Sequence, residues 1–375
     1  MIDNIDTPYW QLELSLLEKN LEILADIKKR ANIKILLALK GYALWQSFPL
    51  VSKYLDGCCA SGLHEAKLSD EKFKKELHTY SPAFKEVEIE EISKISNHLV
   101  FNSPIQFKRF YTLAKKYNSD ISLGLRVNPE YSESPVEIYN PCGLYSRLGT
   151  TIINFDESIV DKLDGLHFHA LCEQDSSALE KVVEVFELNF GRYLKDMRWV
   201  NFGGGHHITK KGYDLEKLIN IINSFKSRYP HLTIYLELGE AVGWDTGTLV
   251  ATVLDIVHNQ IDIAILDISA EAHMPDTIIM PYRADIRDAD KANIKSYTYR
   301  LAGNSCLAGD IMGDYSFDKP LKIGDRVVFE DQMHYTMVKA TTFNGVPLPS
   351  IVIKDKNGNR KVVKSFGYED FRDRL

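Results

Sequence analysis

Several things are missing from this sequence, and each absence removes a class of protein. There is no basic run: 45 Lys and Arg stand against 52 Asp and Glu, a net charge of −7. A nucleic-acid binder needs a cationic footprint, so no nucleic-acid partner is expected. No uninterrupted apolar stretch approaches the roughly 20 residues that span a bilayer, so no membrane partner is expected either. The five cysteines, Cys58, Cys59, Cys142, Cys172 and Cys306, are odd in number. Their spacing fits neither a zinc site nor a disulfide framework, so they read as reduced thiols with no metal. The opening MIDNIDTPYW lacks the basic and apolar regions of a signal peptide. The expected compartment is the cytoplasm. Neither a solenoid repeat nor a low-complexity segment is present.

What is present is a core. With 375 residues, 45% of them hydrophobic, the chain is large enough for a barrel plus an annex domain. Leu17, Leu21, Leu24 and Ile27 recur at helical spacing, which predicts a helix over 15–30 with Ser15 and Glu18 as a capping box. Apolar runs then alternate with helical patterns. Strands are expected at 33–39, 57–60, 77–81, 98–101, 121–127, 164–169, 198–202 and 233–238. Helical segments are expected at 43–55, 63–75, 88–96, 104–117, 156–163, 176–194 and 214–228. Eight βα repeats suit a (β/α)8 barrel, although a doubly wound sheet shares the alternation. After about residue 245 the runs become β-like and are separated by Gly, Pro, Asn and Asp, which predicts a second, mostly β domain. The expected division is a barrel at 15–245 and a β domain built from 1–14 plus 246–375.

Four chemically telling residues or turns fall at the C-terminal ends of the expected strands. They are Lys40, His169, Gly203-Gly204-Gly205 and Glu237. Barrel active sites are built on that face, so the coincidence favours the barrel and marks a site. A strand-end lysine is more often simply solvated. In an apolar setting, though, its pKa falls and its amine becomes free for Schiff-base chemistry. The triple glycine before the helix cued by Asp214 can form an anion-binding nest; its bland reading is a flexible turn. A buried Glu237 needs a partner, and a protonated pyridine ring is one. His169 alone reads as a core histidine, and the His167–His169 pair has no evident third metal ligand.

Longer strings carry a resemblance. TPYWQLELSLLEKN, LLALKGYALW, SRLG at 146–149, NFGGGHH, GNSCLAGD at 303–310 and HYTMVKATTFNG at 334–345 run along nearly the whole chain. They resemble the fold-type III pyridoxal phosphate (PLP)-dependent decarboxylases. LHFHALCE, GEAVGWDTG, LDISAEAHMPD and CLAGDIMGDY are most similar to the members acting on carboxylated polyamines. The resemblance implies PLP on Lys40, with His169 stacked on the ring and Glu237 at the ring nitrogen. It implies phosphate held by Gly203, Gly204, Gly205 and Tyr335, and a proton donor at Cys306. The resemblance also implies that Asp310 binds substrate. Because that cysteine comes from the second subunit in the family, Cys306 and Asp310 imply a homodimer with shared sites.

Two departures from the wider family bear on the substrate. His169-Ala170-Leu171-Cys172 replaces the usual serine-bearing segment. Glu237-Leu238-Gly239-Glu240 puts glutamate where most relatives have arginine. A carboxylate there suits a substrate with extra ammonium groups, so Glu240, with Asp276, is expected to read a cationic tail. The expected reaction is decarboxylation of a carboxylated triamine. The alternative is a sibling enzyme acting on diaminopimelate or another basic amino acid.

Overall fold

A computed structural model describes residues 5–134, 136–280 and 282–375; residues 1–4, 135 and 281 lie outside the described residues. The chain divides into two compact units, Met1–Glu18 with Gly243–Leu375, and Lys19–Val242.

The second of these is a closed parallel barrel. Its strands are β2 (Lys34–Ala38), β3 (Gly57–Ala60), β4 (Glu76–Tyr80), β5 (His98–Phe101), β6 (Ser122–Arg126), β7 (Gly165–His167), β8 (Trp199–Asn201) and β9 (Thr233–Leu238). Each pairs with the next, and β9 returns to β2 with Leu36 opposite Glu237. All eight predicted strands are present, so the alternation belongs to a barrel and not to a doubly wound sheet. The connecting helices follow the apolar spacing. Ile89 and Ile92 of Glu86–Ile95 are fully buried, as are Leu179, Val182 and Phe186 of Ser176–Phe190. Burying one such side chain stabilises by roughly 1.5–3 kcal/mol. Ser103, Asp175 and Asp214 cap three helices by accepting main-chain N–H bonds at their starts. Two segments are less regular than expected: 43–55 contains only short turns of helix, and 156–163 is a 3-10 turn at Glu157–Lys162.

One local expectation fails. The first helix is Leu14–Ala31 and leaves β1 (Tyr9–Glu13) directly, so Ser15 lies inside the helix and does not cap it. Strand pairing fixes the chain up to Glu13, which leaves no separate capping residue.

The other unit is mostly sheet. Its strands are β1, β10 (Gly247–Asn259), β11 (Ile261–Leu266), β12 (Ala289–Lys291), β13 (Tyr297–Ala302), β14 (Ile311–Phe317), β15 (Arg326–Phe329), β16 (Ser350–Lys354) and β17 (Arg360–Lys364). They form one nine-stranded sheet ordered β12-β14-β13-β11-β10-β1-β16-β17, with β15 also paired to β10. Short helices at Ala270–His273, Asp276–Ile279 and Tyr335–Val338 interrupt it. Among the described residues no helix is long and apolar enough to cross a membrane.

Candidate active site

Parallel strands bring their C-terminal ends to one face of the barrel. Arg126 ends β6, His167 ends β7, Asn201 ends β8, and Glu237 is the penultimate residue of β9. Lys40 follows β2, where the chain turns back as Gly41 and Tyr42 both donate to the carbonyl of Ala38. Solvent touches the Lys40 side chain. Protein nevertheless surrounds it deeply enough that burial, and next the charge of Arg126, lower its pKa, against opposing pulls from Cys59, Glu237 and Cys172. Lys40 makes no ion pair among the described residues.

Glu237 is the acid of this face. Asn201 Nδ2 donates to its Oε1 at 2.7 Å, and His167 Nε2 lies 3.5 Å from its Oε2. Burial raises the carboxyl pKa, but the His167 charge and contact, with help from His78 and Lys40, outweigh it and hold the pKa at about 2. Burial also pushes His167 down, so the resting pair at neutral pH is carboxylate and neutral imidazole.

His169 is locked from both sides. The Gly204 N–H donates to its Nδ1 at 2.9 Å, and Arg126 Nη2 donates to its carbonyl at 3.1 Å. Burial, then Lys40 and Arg126, hold its pKa well below the usual range. It is therefore a neutral ring whose Nδ1 is the acceptor. Arg126 itself lies with its guanidinium 4.7 Å from the Tyr80 ring centroid.

The glycine turn is more committed than its sequence suggested. Gly203 N donates to Asn201 Oδ1 at 2.8 Å and Gly204 N to His169, so neither amide is open to an anion. The amides of Gly205 and His206 have no protein acceptor among the described residues. Glycine is required here by close approach. A Cβ on Gly204 would lie 1.9 Å from the Glu237 carbonyl oxygen, and Gly205 has φ +84 with its Cβ 2.0 Å from that of Leu171.

Beside the turn stands a second group. His207 Nε2 is 3.6 Å from Glu240 Oε2 and 4.0 Å from Glu173 Oε2. Glu240, Glu173 and Lys40 all act on the Cys172 thiol, whose pKa burial pushes up to about 11. The loops bearing Glu173 and His207 are tied together, Gln174 N donating to Gly205 O and His207 N to Gln174 O.

The remaining predicted residues lie in the sheet unit. Cys306 is exposed on the loop between β13 and β14, its N–H donating to Asn344 Oδ1 at 2.7 Å. Asp310 closes that loop from within. It is buried, and its two oxygens accept the amides of Ala270 and Ser305. Asp276 is paired with Lys339 at 2.6 Å, and the Lys339 ammonium lies 5.7 Å from the half-buried Tyr335 ring. Sequence reasoning missed Arg126, His167 as the Glu237 neighbour, Asn201, Glu173 and His207. The strand-end rule that found Glu237 was available for Arg126 and Asn201, which are the last residues of β6 and β8. Nothing local marks Glu173 or His207.

The model of the family described as pyridoxal-dependent decarboxylase, C-terminal sheet domain, matches residues 27–332. The chain belongs to that decarboxylase family. Among relatives, the carboxynorspermidine/carboxyspermidine decarboxylase of Campylobacter jejuni is 52% identical over 98% of each chain. The carboxyaminopropylagmatine decarboxylase of Synechocystis is 44% identical, over 100% of this chain and 96% of its own. A crystal structure of the C. jejuni carboxynorspermidine decarboxylase complexed with norspermidine superposes with TM-score 0.92 at 50% identity, covering 99% of this chain and 100% of that one. Helicobacter pylori diaminopimelate decarboxylase, at 16% identity and TM-score 0.81, shares the fold.

The decarboxylase takes pyridoxal phosphate, and its barrel face fits that cofactor. Among the described residues it offers an amine at Lys40 with a lowered pKa and no ion pair, an ionised acid at Glu237, and two amides without a protein acceptor at Gly205 and His206. These are the chemical complements of an aldehyde, a pyridine nitrogen and a phosphate.

Proposed function

We propose that this decarboxylase acts on carboxynorspermidine and carboxyspermidine, releasing norspermidine and spermidine in cytoplasmic polyamine biosynthesis. The 52% identity to the C. jejuni enzyme over nearly the full length carries this reading. The acidic group of Glu173 and Glu240 around His207 supports it, because a polyamine tail brings ammonium groups that such carboxylates attract. The distal carboxylate of diaminopimelate would be repelled there.

Bound PLP supplies the electron sink for the electron pair left when CO₂ departs. Lys40 is assigned to attach it, the lowered pKa raising the fraction of free amine at neutral pH. Glu237, held ionised, favours a protonated ring nitrogen. His169, with its Nδ1 fixed by Gly204, stacks on the ring. The turn Gly203–Gly205 holds the phosphate through the amides of Gly205 and His206, with Tyr335 contributing its hydroxyl. Cys306 Sγ returns a proton to the substrate's Cα. Asp310, expected to touch substrate, has its oxygens engaged by two main-chain amides, so its assigned work is to hold the Cys306 loop. Glu240 and Asp276 read the tail; an ammonium reaching Asp276 shares its carboxylate with Lys339, which holds Oδ1. The working form is a homodimer in which Cys306 serves the partner's site.

CO₂ release by purified protein with PLP tests the reaction. The panel is carboxynorspermidine, carboxyspermidine, carboxyaminopropylagmatine, diaminopimelate and ornithine. The two carboxylated triamines should be preferred; a preference for diaminopimelate or ornithine would refute the reading. Mixing Lys40→Ala with Cys306→Ala protein should restore activity if sites are shared between subunits.

A further inference from the structure

Asn201 ends β8 with no exposed surface, between the glycine turn and Glu237. Its two side-chain hydrogen bonds point in opposite chemical senses. The Gly203 N–H, which can only donate, meets Oδ1 at 2.8 Å. That contact fixes which way the amide faces, so Nδ2 must point the other way, and it meets Glu237 Oε1 at 2.7 Å. The main chain of the turn thus dictates that position 201 presents a donor to position 237. Register reinforces the arrangement: Asn201 pairs with His167 on one side and Tyr235 on the other, so the side chains of 167, 201 and 237 come from three consecutive strands.

We infer that Asn201 is a positioning residue, whose amide, oriented by the Gly203 N–H, holds the Glu237 carboxylate in place and ties it to the turn. The inference rests on the assignment of Glu237 to the cofactor ring made above. Both halves of the site then move together. The acid cannot rotate without breaking the Asn201 bond, and the turn cannot shift without freeing the amide. Neutral asparagine suits the place, since an aspartate would satisfy Gly203 but set two carboxylates against each other.

That contrast supplies the test. Asn201→Asp keeps the acceptor for Gly203 and removes the donor to Glu237. Glu237→Gln removes the charge alone. The double variant Asn201→Asp/Glu237→Gln restores one donor and one acceptor across the gap but moves the charge from 237 to 201. Three quantities are read: the melting temperature of the apoprotein, the dissociation constant for PLP from fluorescence quenching, and kcat with carboxynorspermidine. Asn201→Asp should lower the melting temperature and weaken PLP binding about tenfold, a loss on the scale of one charge-assisted hydrogen bond. The double variant should regain the melting temperature but not the PLP affinity or kcat. A merely structural asparagine would instead let Asn201→Asp lose melting temperature while keeping wild-type PLP affinity and kcat.

If Asn201→Asp binds PLP and turns over like wild type while Glu237→Gln does not, the positioning role is wrong and the Glu237 assignment stands. Failure of the double variant to regain stability over Asn201→Asp would also overturn it. Wild-type behaviour of Glu237→Gln would instead remove the assignment on which the inference rests.

Discussion

Strand β2 has a lysine near each end, and the two have different fates. Lys34 opens the strand at the N-terminal face of the barrel and meets Glu76 at 2.6 Å. Glu76 also accepts from the Tyr235 hydroxyl at 2.6 Å and lies 3.1 Å from His78 Nε2 and 3.5 Å from that of His98. Lys40 follows the other end and makes no ion pair among the described residues, while the nearby acid Glu237 is held by Asn201 and flanked by His167. Each face therefore carries a lysine, a largely buried glutamate and histidines. At one, protein groups already pair with the acid. At the other, solvent reaches the lysine amine, which makes no ion pair among the described residues. An amine that solvent reaches and no acid pairs with, on the face where the barrel's loops converge, is free to take a ligand. The contrast agrees with the rule that barrels stabilise at the N-terminal face and react at the C-terminal one.

The strongest way to break this comparison is to exchange the lysines' fates. Lys40→Ala should abolish decarboxylation, by about a thousandfold or more, and remove the visible absorbance of lysine-bound PLP. Lys34→Ala should keep both and lose only stability. A yellow, active Lys40→Ala protein would end the reading of that face.

Next in size is the exchange of acids. Glu76→Gln should cost about 1–2 kcal/mol of stability at neutral pH, the scale of hydrogen bonds to a half-buried charged group, and leave kcat nearly unchanged. Burial pushes the Glu76 pKa up, but its bonds to His78, Lys34 and Tyr235 more than offset this and lower it. A depressed folded-state pKa stabilises above the unfolded carboxylate value of about 4.3, and that stability is lost as pH falls through the folded value. The gap between wild type and Glu76→Gln in urea melts should accordingly shrink as the pH drops below about 4. Glu237→Gln should do the reverse, losing kcat by about 10–100-fold with a small change in melting temperature.

The smallest effect separates two acids on one face. Glu240→Gln should raise KM for carboxynorspermidine about tenfold while kcat changes little, because a tail contact is made equally in ground and transition states. An unchanged KM would leave Glu240 without its assigned role and weaken the polyamine reading.

Much of this was legible beforehand for definite reasons. Apolar runs of four to seven residues separated by helical spacing located all eight barrel strands, since a parallel strand buried on both faces is continuously apolar. The placement of Lys40, His169, the glycine turn and Glu237 at strand ends on one barrel face was legible from the strand pattern. Asp310 illustrates the limit. Its motif pointed toward substrate, yet its oxygens turn inward to the amides of Ala270 and Ser305, one of which lies 40 residues away. Asp276 likewise is an acid whose partner, Lys339, lies 63 residues on.

The sequence by itself determined the alternation of elements and which side-chain chemistries stand at the strand ends, Lys40, Glu237 and Glu240 among them. Those properties follow from local periodicity and side-chain chemistry, which need no knowledge of what lies opposite. Only the tertiary structure decided which groups were already satisfied. It spent the amides of Gly203 and Gly204 on Asn201 and His169, brought Glu173 and His207 beside Glu240, and paired Glu76 with Lys34 while giving Lys40 no ion pair among the described residues. Hydrogen bonds and ion pairs of this kind join residues far apart in the chain, and closing the barrel is what sets them face to face.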